Sequence, residues 1–201
     1  MTTSFHDMFG IDNGFARVEF SGRTDRSIFL EGVRQHGIQG DEEAYLQEFA
    51  RRYYALLPEA LRQRQGRLMP GFPQLLEELS RHPEVRLGLA TGNFSQGGRL
   101  KLAHYGIDHF FPAGAFGEES EDRADIVRLA MERVADGAAP EDVLVIGDTP
   151  HDVASALANG VVAVGVATGR HSVDELRQCG AQMVFPDFAD WQRAAATLLG
   201  A

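Results

Sequence analysis

From residue 72 onward, short apolar runs alternate with stretches whose apolar residues recur at helical spacing. The runs at 85–90, 110–116, 142–147, 161–167 and 182–185 predict strands. The stretches at 72–81, 96–105, 123–135, 151–158, 172–178 and 189–199 predict helices. Val143 to Ile146 are apolar without interruption, which predicts a strand buried on both faces. Strand and helix in strict alternation, with short connections, predict an α/β fold: a doubly wound parallel sheet with helices on both faces.

The pattern upstream is different. Thr24 and Asp25 open a helical stretch with Ile28, Phe29 and Val33 on one side, closed by His36-Gly37. A longer helix follows from Gly40-Asp41, with Tyr45, Phe49, Tyr53 and Leu56 in one stripe, and it is expected to kink or end near Pro58. Such an aromatic stripe is the mark of a core. Residues 1–22, punctuated by Gly10, Asn13-Gly14 and Gly22, are expected to be irregular. Met69-Pro-Gly-Phe72 marks a boundary. The expected division is therefore an irregular segment (1–22), a helical module (23–67) and an α/β core domain (68–201).

Composition narrows the function. The chain has 201 residues, 44% of them apolar, enough for a sizeable core. A net charge of -10 and the lack of any basic stripe argue against a nucleic-acid partner. No apolar stretch reaches membrane-spanning length, so no membrane partner is expected. The single cysteine, Cys179, rules out an internal disulfide and suits a cytoplasmic location. A monomer or homodimer is expected.

The candidate chemistry sits at strand ends, where open α/β sheets bind ligands. After the first strand comes Thr91-Gly92-Asn93, a hydroxyl and backbone amides able to cradle a phosphate. Arg123 follows an acidic loop at a helix start; its plainer reading is an exposed partner for Glu119 or Asp122. After Ile146-Gly147 come Asp148 and Asp152, with Thr149 and Pro150 as the start of a helix. Carboxylates crowded together repel unless a cation lies between them, and Mg2+, which takes oxygen ligands, suits them. The plainer reading is a turn cap and a solvated helix residue. Hydroxyl, cation and paired acids at the ends of one sheet make a stronger signal than any one of them alone.

The order Leu-Ala-Thr91-Gly-Asn, Arg123, Ile-Gly-Asp148-Thr-Pro-His-Asp152 resembles motifs two, three and four of the haloacid dehalogenase-like hydrolases, phosphoglycolate-phosphatase-like branch. Gly22-Arg-Thr-Asp25, the helical module and Leu68-Met-Pro-Gly71 resemble that branch's cap and return hinge. The resemblance implies a Mg2+-dependent phosphomonoester hydrolase that forms an aspartyl-phosphate and takes a small phosphorylated metabolite. By it, Thr91, Gly92, Asn93 and Arg123 would bind the phosphoryl group, with Arg123 in the place of the family's usual lysine. Asp148 would ligate the metal, and Asp152 would assist it or orient the cation. Arg23 and Thr24 of the cap would contact substrate, or Thr24 and Asp25 would merely cap a helix. Lys101 is read as surface. The family's first motif, an apolar strand ending Asp-x-Asp-Gly-Thr, has no counterpart here. Asp12 is rejected as nucleophile because Gly10 stands in the attacking position and no apolar strand precedes it. The expectation is that the chain begins late and that the 201 residues alone are inactive. The alternative is a non-catalytic binding or scaffold protein with a degenerate site.

Overall fold

Most helices of the chain start on a side chain that can take up a free backbone N–H. Thr24 accepts from the amide of Ser27, Asp41 from those of Glu43 and Ala44, and Asp122 from that of Ala124. Thr149 with Asp152, and Ser172 with Glu175, form reciprocal capping boxes. The computed structural model describes residues 1–64 and 66–200. In chain order the helices are α1 (Thr2–Phe9), α2 (Asp25–Gln35), α3 (Glu42–Gln63), α4 (Phe72–Ser80), α5 (Ser95–His104), α6 (Arg123–Val134), α7 (Pro150–Ala158), α8 (Val173–Gln178) and α9 (Trp191–Leu198). The strands are β1 (Gly88–Ala90), β2 (Ala113–Ala115), β3 (Leu144–Gly147), β4 (Val162–Val166) and β5 (Met183–Phe185).

Helices α1 to α3 form the helical module. Its core is aromatic: Phe5, Phe29 and Phe49 are wholly buried, with ring centroids of Phe29 and Phe49 4.5 Å apart and of Phe5 and Phe15 4.7 Å apart. Of residues 1–22, expected to be irregular, 2–9 form a helix and 10–22 hold turns alone. Glycine punctuation ends α1 at Gly10, which takes a left-handed conformation, but it does not prevent a helix before it, and Phe5 anchors that helix in the core. Helix α3 runs through Pro58 to Gln63 rather than ending there. Proline removes one backbone bond, and the burial of Leu57 with Leu61 packed beside it keeps the helix on course.

In the α/β domain every strand pairing is parallel, as the alternation predicts. Helices α4, α5 and α9 cover one face and α6, α7 and α8 the other. The strand pairings form two groups: β2 with β1, and β3 with β4 and β5. Among the described residues, strands β1 and β3 each pair on one side only, and a cavity of about 1490 Å³ lies between their open edges. It is lined by Leu89 and Leu144 of the strands, Leu75 and Leu79 of α4, and Val127 and Met131 of α6, so it spans the sheet from one helical layer to the other. This slot overturns the expectation that Val143 to Ile146 are buried on both faces. Ile146 keeps 41% of its surface exposed because nothing among the described residues pairs with that edge. It also accounts for the shortening of the first predicted strand to Gly88–Ala90, since a one-sided strand has half the ladder to hold it.

Candidate active site

Strands β1, β2 and β3 end at Ala90, Ala115 and Gly147; of the residues beyond them Arg123, Asp148 and Asp152 line the slot, and the Thr91 loop lies against Arg123. The Thr91 amide donates to Ala115 O at 3.1 Å, so the pairing of β1 with β2 continues into the loop. Asn93 then folds back. Its backbone N–H and its side-chain Nδ2 both donate to Thr91 Oγ1, at 3.2 and 2.9 Å. On the next loop, Gly117 donates to Asn93 O at 2.7 Å.

Arg123, the first residue of α6, turns away from Glu119 and Asp122. Glu119 is taken by Arg133, and Asp122 caps the helix. The guanidinium instead meets Asp152, with Nε 2.9 Å and Nη2 2.6 Å from Oδ1. The other oxygen of Asp152 accepts from the amides of Asp148 and Thr149 and from the Thr149 hydroxyl, at 3.1, 3.0 and 2.8 Å. Asp152 is nearly buried and both its oxygens are engaged, so it ties the β3 loop to Arg123. A Cβ on Gly92 would come within 3.0 Å of Arg123 Nη1, which places the cation against the Thr91 loop.

Among the described residues, Asp148 is the carboxylate of the group that no other side chain engages. Burial first, and then the charge of Asp152, push its pKa above the ordinary range, so a cation beside it would be welcome. Gly169 leaves it room, because a Cβ there would come within 2.3 Å of Asp148 Oδ2. Among the described residues no group of three or more His, Cys, Asp or Glu is placed to hold a metal. Asp148 is an oxygen donor of the kind Mg2+ takes, an ion that keeps several waters and accepts one or two carboxylates together with phosphate oxygens.

The helical module reaches the same loop through its backbone and through Asp25. The Asp25 amide donates to Gly92 O at 2.6 Å, and its carboxylate accepts from the Phe94 amide at 2.9 Å. A Cβ on Gly92 would also lie 2.3 Å from Arg23 O. The Arg23 side chain runs along α2 to Glu31 at 3.0 Å and to Ser27 O at 3.3 Å. Thr24 is fully buried as the cap of α2. The structure therefore brings Thr91, Gly92, Asn93, Arg123, Asp148 and Asp152 together, and turns the side chains of Arg23 and Thr24 to local partners.

One residue was misread from the sequence. Lys101 is half-buried, not surface: its ammonium donates to Asn93 Oδ1 and lies 5.9 Å from the Tyr53 ring centroid. Burial lowers its pKa, and the charge of Asp25 opposes that shift. The available signal was its place between Leu100 and Leu102, on a helix that starts two residues after Asn93.

Residues 18–166 match the family profile described as haloacid dehalogenase-like hydrolase. The chain is 33% identical over 117 residues to the 5'-nucleotidase of Pseudomonas aeruginosa, covering 56% of this chain and 51% of that protein. It is 28% identical over 153 residues to a protein of Dickeya dadantii named "Probable phosphatase IndB", covering 74% of this chain and 65% of that one. The chain thus spans about half to two thirds of the length of these curated relatives. Its fold is similar to the crystal structure of a predicted phosphatase from Clostridium acetobutylicum, with a TM-score of 0.67 at 20% identity over 100% of this chain and 88% of that one.

Proposed function

Since the chain belongs to the haloacid dehalogenase-like hydrolases, we propose that it contributes the phosphate- and metal-binding machinery of a Mg2+-dependent phosphomonoester hydrolase acting on a small phosphorylated metabolite. The observation that carries this reading is the convergence of the Thr91 loop, Arg123 and Asp148 at the carboxyl end of a slot between two parallel strand edges. A phosphoryl group there meets a hydroxyl, the backbone amides of the Thr91-Gly-Asn93 turn and a guanidinium held in place by Asp152. Asp148 supplies a carboxylate to Mg2+, which when bound neutralises phosphoryl oxygens.

The attacking carboxylate is the piece this group lacks. Asp148 would hold the metal, Asp152 is spent on Arg123, and Asp12 is a surface residue just after α1, paired with His6 at 3.0 Å. We place the nucleophile on an extended segment filling the slot, with its aspartate emerging beside Thr91 and Arg123. Its oxygen would bond to phosphorus as the ester P–O bond breaks, and water would then hydrolyse the aspartyl-phosphate.

The test fuses an apolar strand ending Asp-x-Asp-Gly-Thr, with a flexible linker, ahead of Met1. Magnesium-dependent hydrolysis of p-nitrophenyl phosphate is expected in the fusion and absent from the 201 residues alone. Asp148→Asn in the fusion should remove it. Hydrolysis by the unfused chain that disappears with Asp12→Asn would overturn the assignment, as would full activity in the Asp148→Asn fusion.

A further inference from the structure

We propose that Lys101 is a positioning residue for phosphoryl binding: acting through the Asn93 amide, it fixes the Thr91 hydroxyl as a hydrogen-bond donor. The inference rests on the phosphate site proposed above and adds to it a residue outside the motifs that suggested it.

The argument begins at Thr91 Oγ1. A hydroxyl has one proton to donate and two lone pairs to accept with. Here both acceptor places are filled, by the Asn93 amide N–H at 3.2 Å and Asn93 Nδ2 at 2.9 Å. Among the described residues the hydroxyl donates to none. Its proton is therefore left for a ligand, and a phosphoryl oxygen can only accept.

That arrangement holds only while Asn93 keeps its NH2 toward Thr91. A carboxamide has a donating end and an accepting end of nearly equal shape, and which faces where is set by its partners. Turned over, Asn93 Oδ1 would accept the Thr91 proton and withdraw it from the ligand. Lys101 decides between the two orientations. An ammonium has three donors and no acceptor, so only Oδ1 can face it, and Nδ2 must then face Thr91.

The position of Lys101 is itself secured from several sides. Its head lies over the Tyr53 ring, a cation–π arrangement contributed by α3. Asp25 supplies the opposing charge and clamps the same loop through Gly92 O and the Phe94 amide. Burying an amine costs free energy unless it is compensated, and these partners offset that cost. A Lys101 that served only to balance Asp25 would have no need of the Asn93 oxygen.

The test measures inorganic phosphate binding to the full chain with Mg2+ by titration calorimetry. Lys101→Met should weaken binding by about tenfold, the loss of one well-placed donor to a charged ligand. Lys101→Arg, another donor without an acceptor, should recover most of it. In an Asn93→Ala background, Lys101→Met should cost little more, because the relay is already cut. If Lys101→Met binds phosphate like the parent, or loses as much with Asn93 absent as with it present, the inference is overturned and Lys101 acts by charge alone. Those outcomes leave the phosphate site standing. If the parent binds no phosphate, or Thr91→Val binds it equally well, the site and this inference both fall.

Discussion

In the helical module Phe5, Phe29 and Phe49 have no exposed surface, whereas in the α/β domain Ile146, on a strand of four residues, keeps 41% of its own. Both regions obey the same hydrophobic logic, so the difference lies in how far each pattern must reach for a partner. A helix completes its hydrogen bonds internally and needs only a neighbouring helix to bury its stripe. Three helices close in sequence bury most of the module's core, and Phe94 and Leu100 of the α/β domain complete it. A parallel strand needs a second strand on each side to satisfy both edges. Among the described residues strands β1 and β3 have one each, and the slot is the result. The candidate site lies at the mouth of this open region and is clamped from above by the closed one, through Asp25.

The largest effect that would break or sharpen this contrast is a pair of truncations followed by urea unfolding. Phe29→Ala removes a ring from a closed core and should cost about 3–5 kcal/mol. Ile146→Ala removes a side chain already wet and should cost less than about 1 kcal/mol. Equal losses would mean that the slot is closed in solution and that the two regions do not differ.

A smaller effect separates their ion pairs. Arg123 and Asp152 are 20% and 7% exposed, so Arg123→Ala leaves a nearly buried carboxylate without its cation. The expected loss is about 2–3 kcal/mol, below the usual figure for a fully buried pair. Arg51→Ala, on the surface of α3, removes a partner of Glu48 that is 70% exposed and should leave stability nearly unchanged. Arg123→Lys should fall between parent and alanine, because an ammonium keeps the charge but loses the two-nitrogen grip on Oδ1. Chemical denaturation midpoints measure all three. An Arg123→Ala protein as stable as the parent would show that Asp152 is held by its loop bonds alone.

The same distinction of local from distant partners governs what was legible in the sequence. Helices α2 to α9 were readable because caps and periodicity are local. The parallel pairing was readable because strand–helix alternation leaves little choice. Helix α1 was hidden, since only the burial of Phe5 against Phe15 and against Phe29 of α2 makes its eight residues worth folding. The motif residues Thr91, Arg123, Asp148 and Asp152 could be placed by strand ends. Which residue each would face was left open: the local pattern offered Glu119 and Asp122 for Arg123, the family resemblance offered Asp152 as one alternative, and the fold supplied Asp152 from 29 positions away. Lys101 was missed for the same reason. Its partner Asn93 is eight residues back along the chain, and the hydrogen bond depends on how the loop turns.

The smallest effect concerns the carboxylate through which the closed region grips the open one. Asp25 is 8% exposed; burial raises its pKa, while the Phe94 N–H and the Lys101 charge pull it down without cancelling the shift. A carboxyl whose pKa is higher folded than unfolded holds its proton more firmly in the folded state. Its contribution to stability is then fully present below the unfolded value and is lost as pH rises through the raised folded value. On this group alone the protein should be more stable in mild acid than at neutral pH. Asp25→Asn keeps an oxygen to accept from the Phe94 amide and removes the charge that must be buried. The variant should therefore lose less stability than the parent between mildly acid and neutral pH, while keeping the clamp. Thermal melts of parent and variant across that range measure the difference. A variant whose melting temperature tracks the parent's at every pH would show that Asp25 is wet or fully neutralised by Lys101, and that the clamp carries no buried charge.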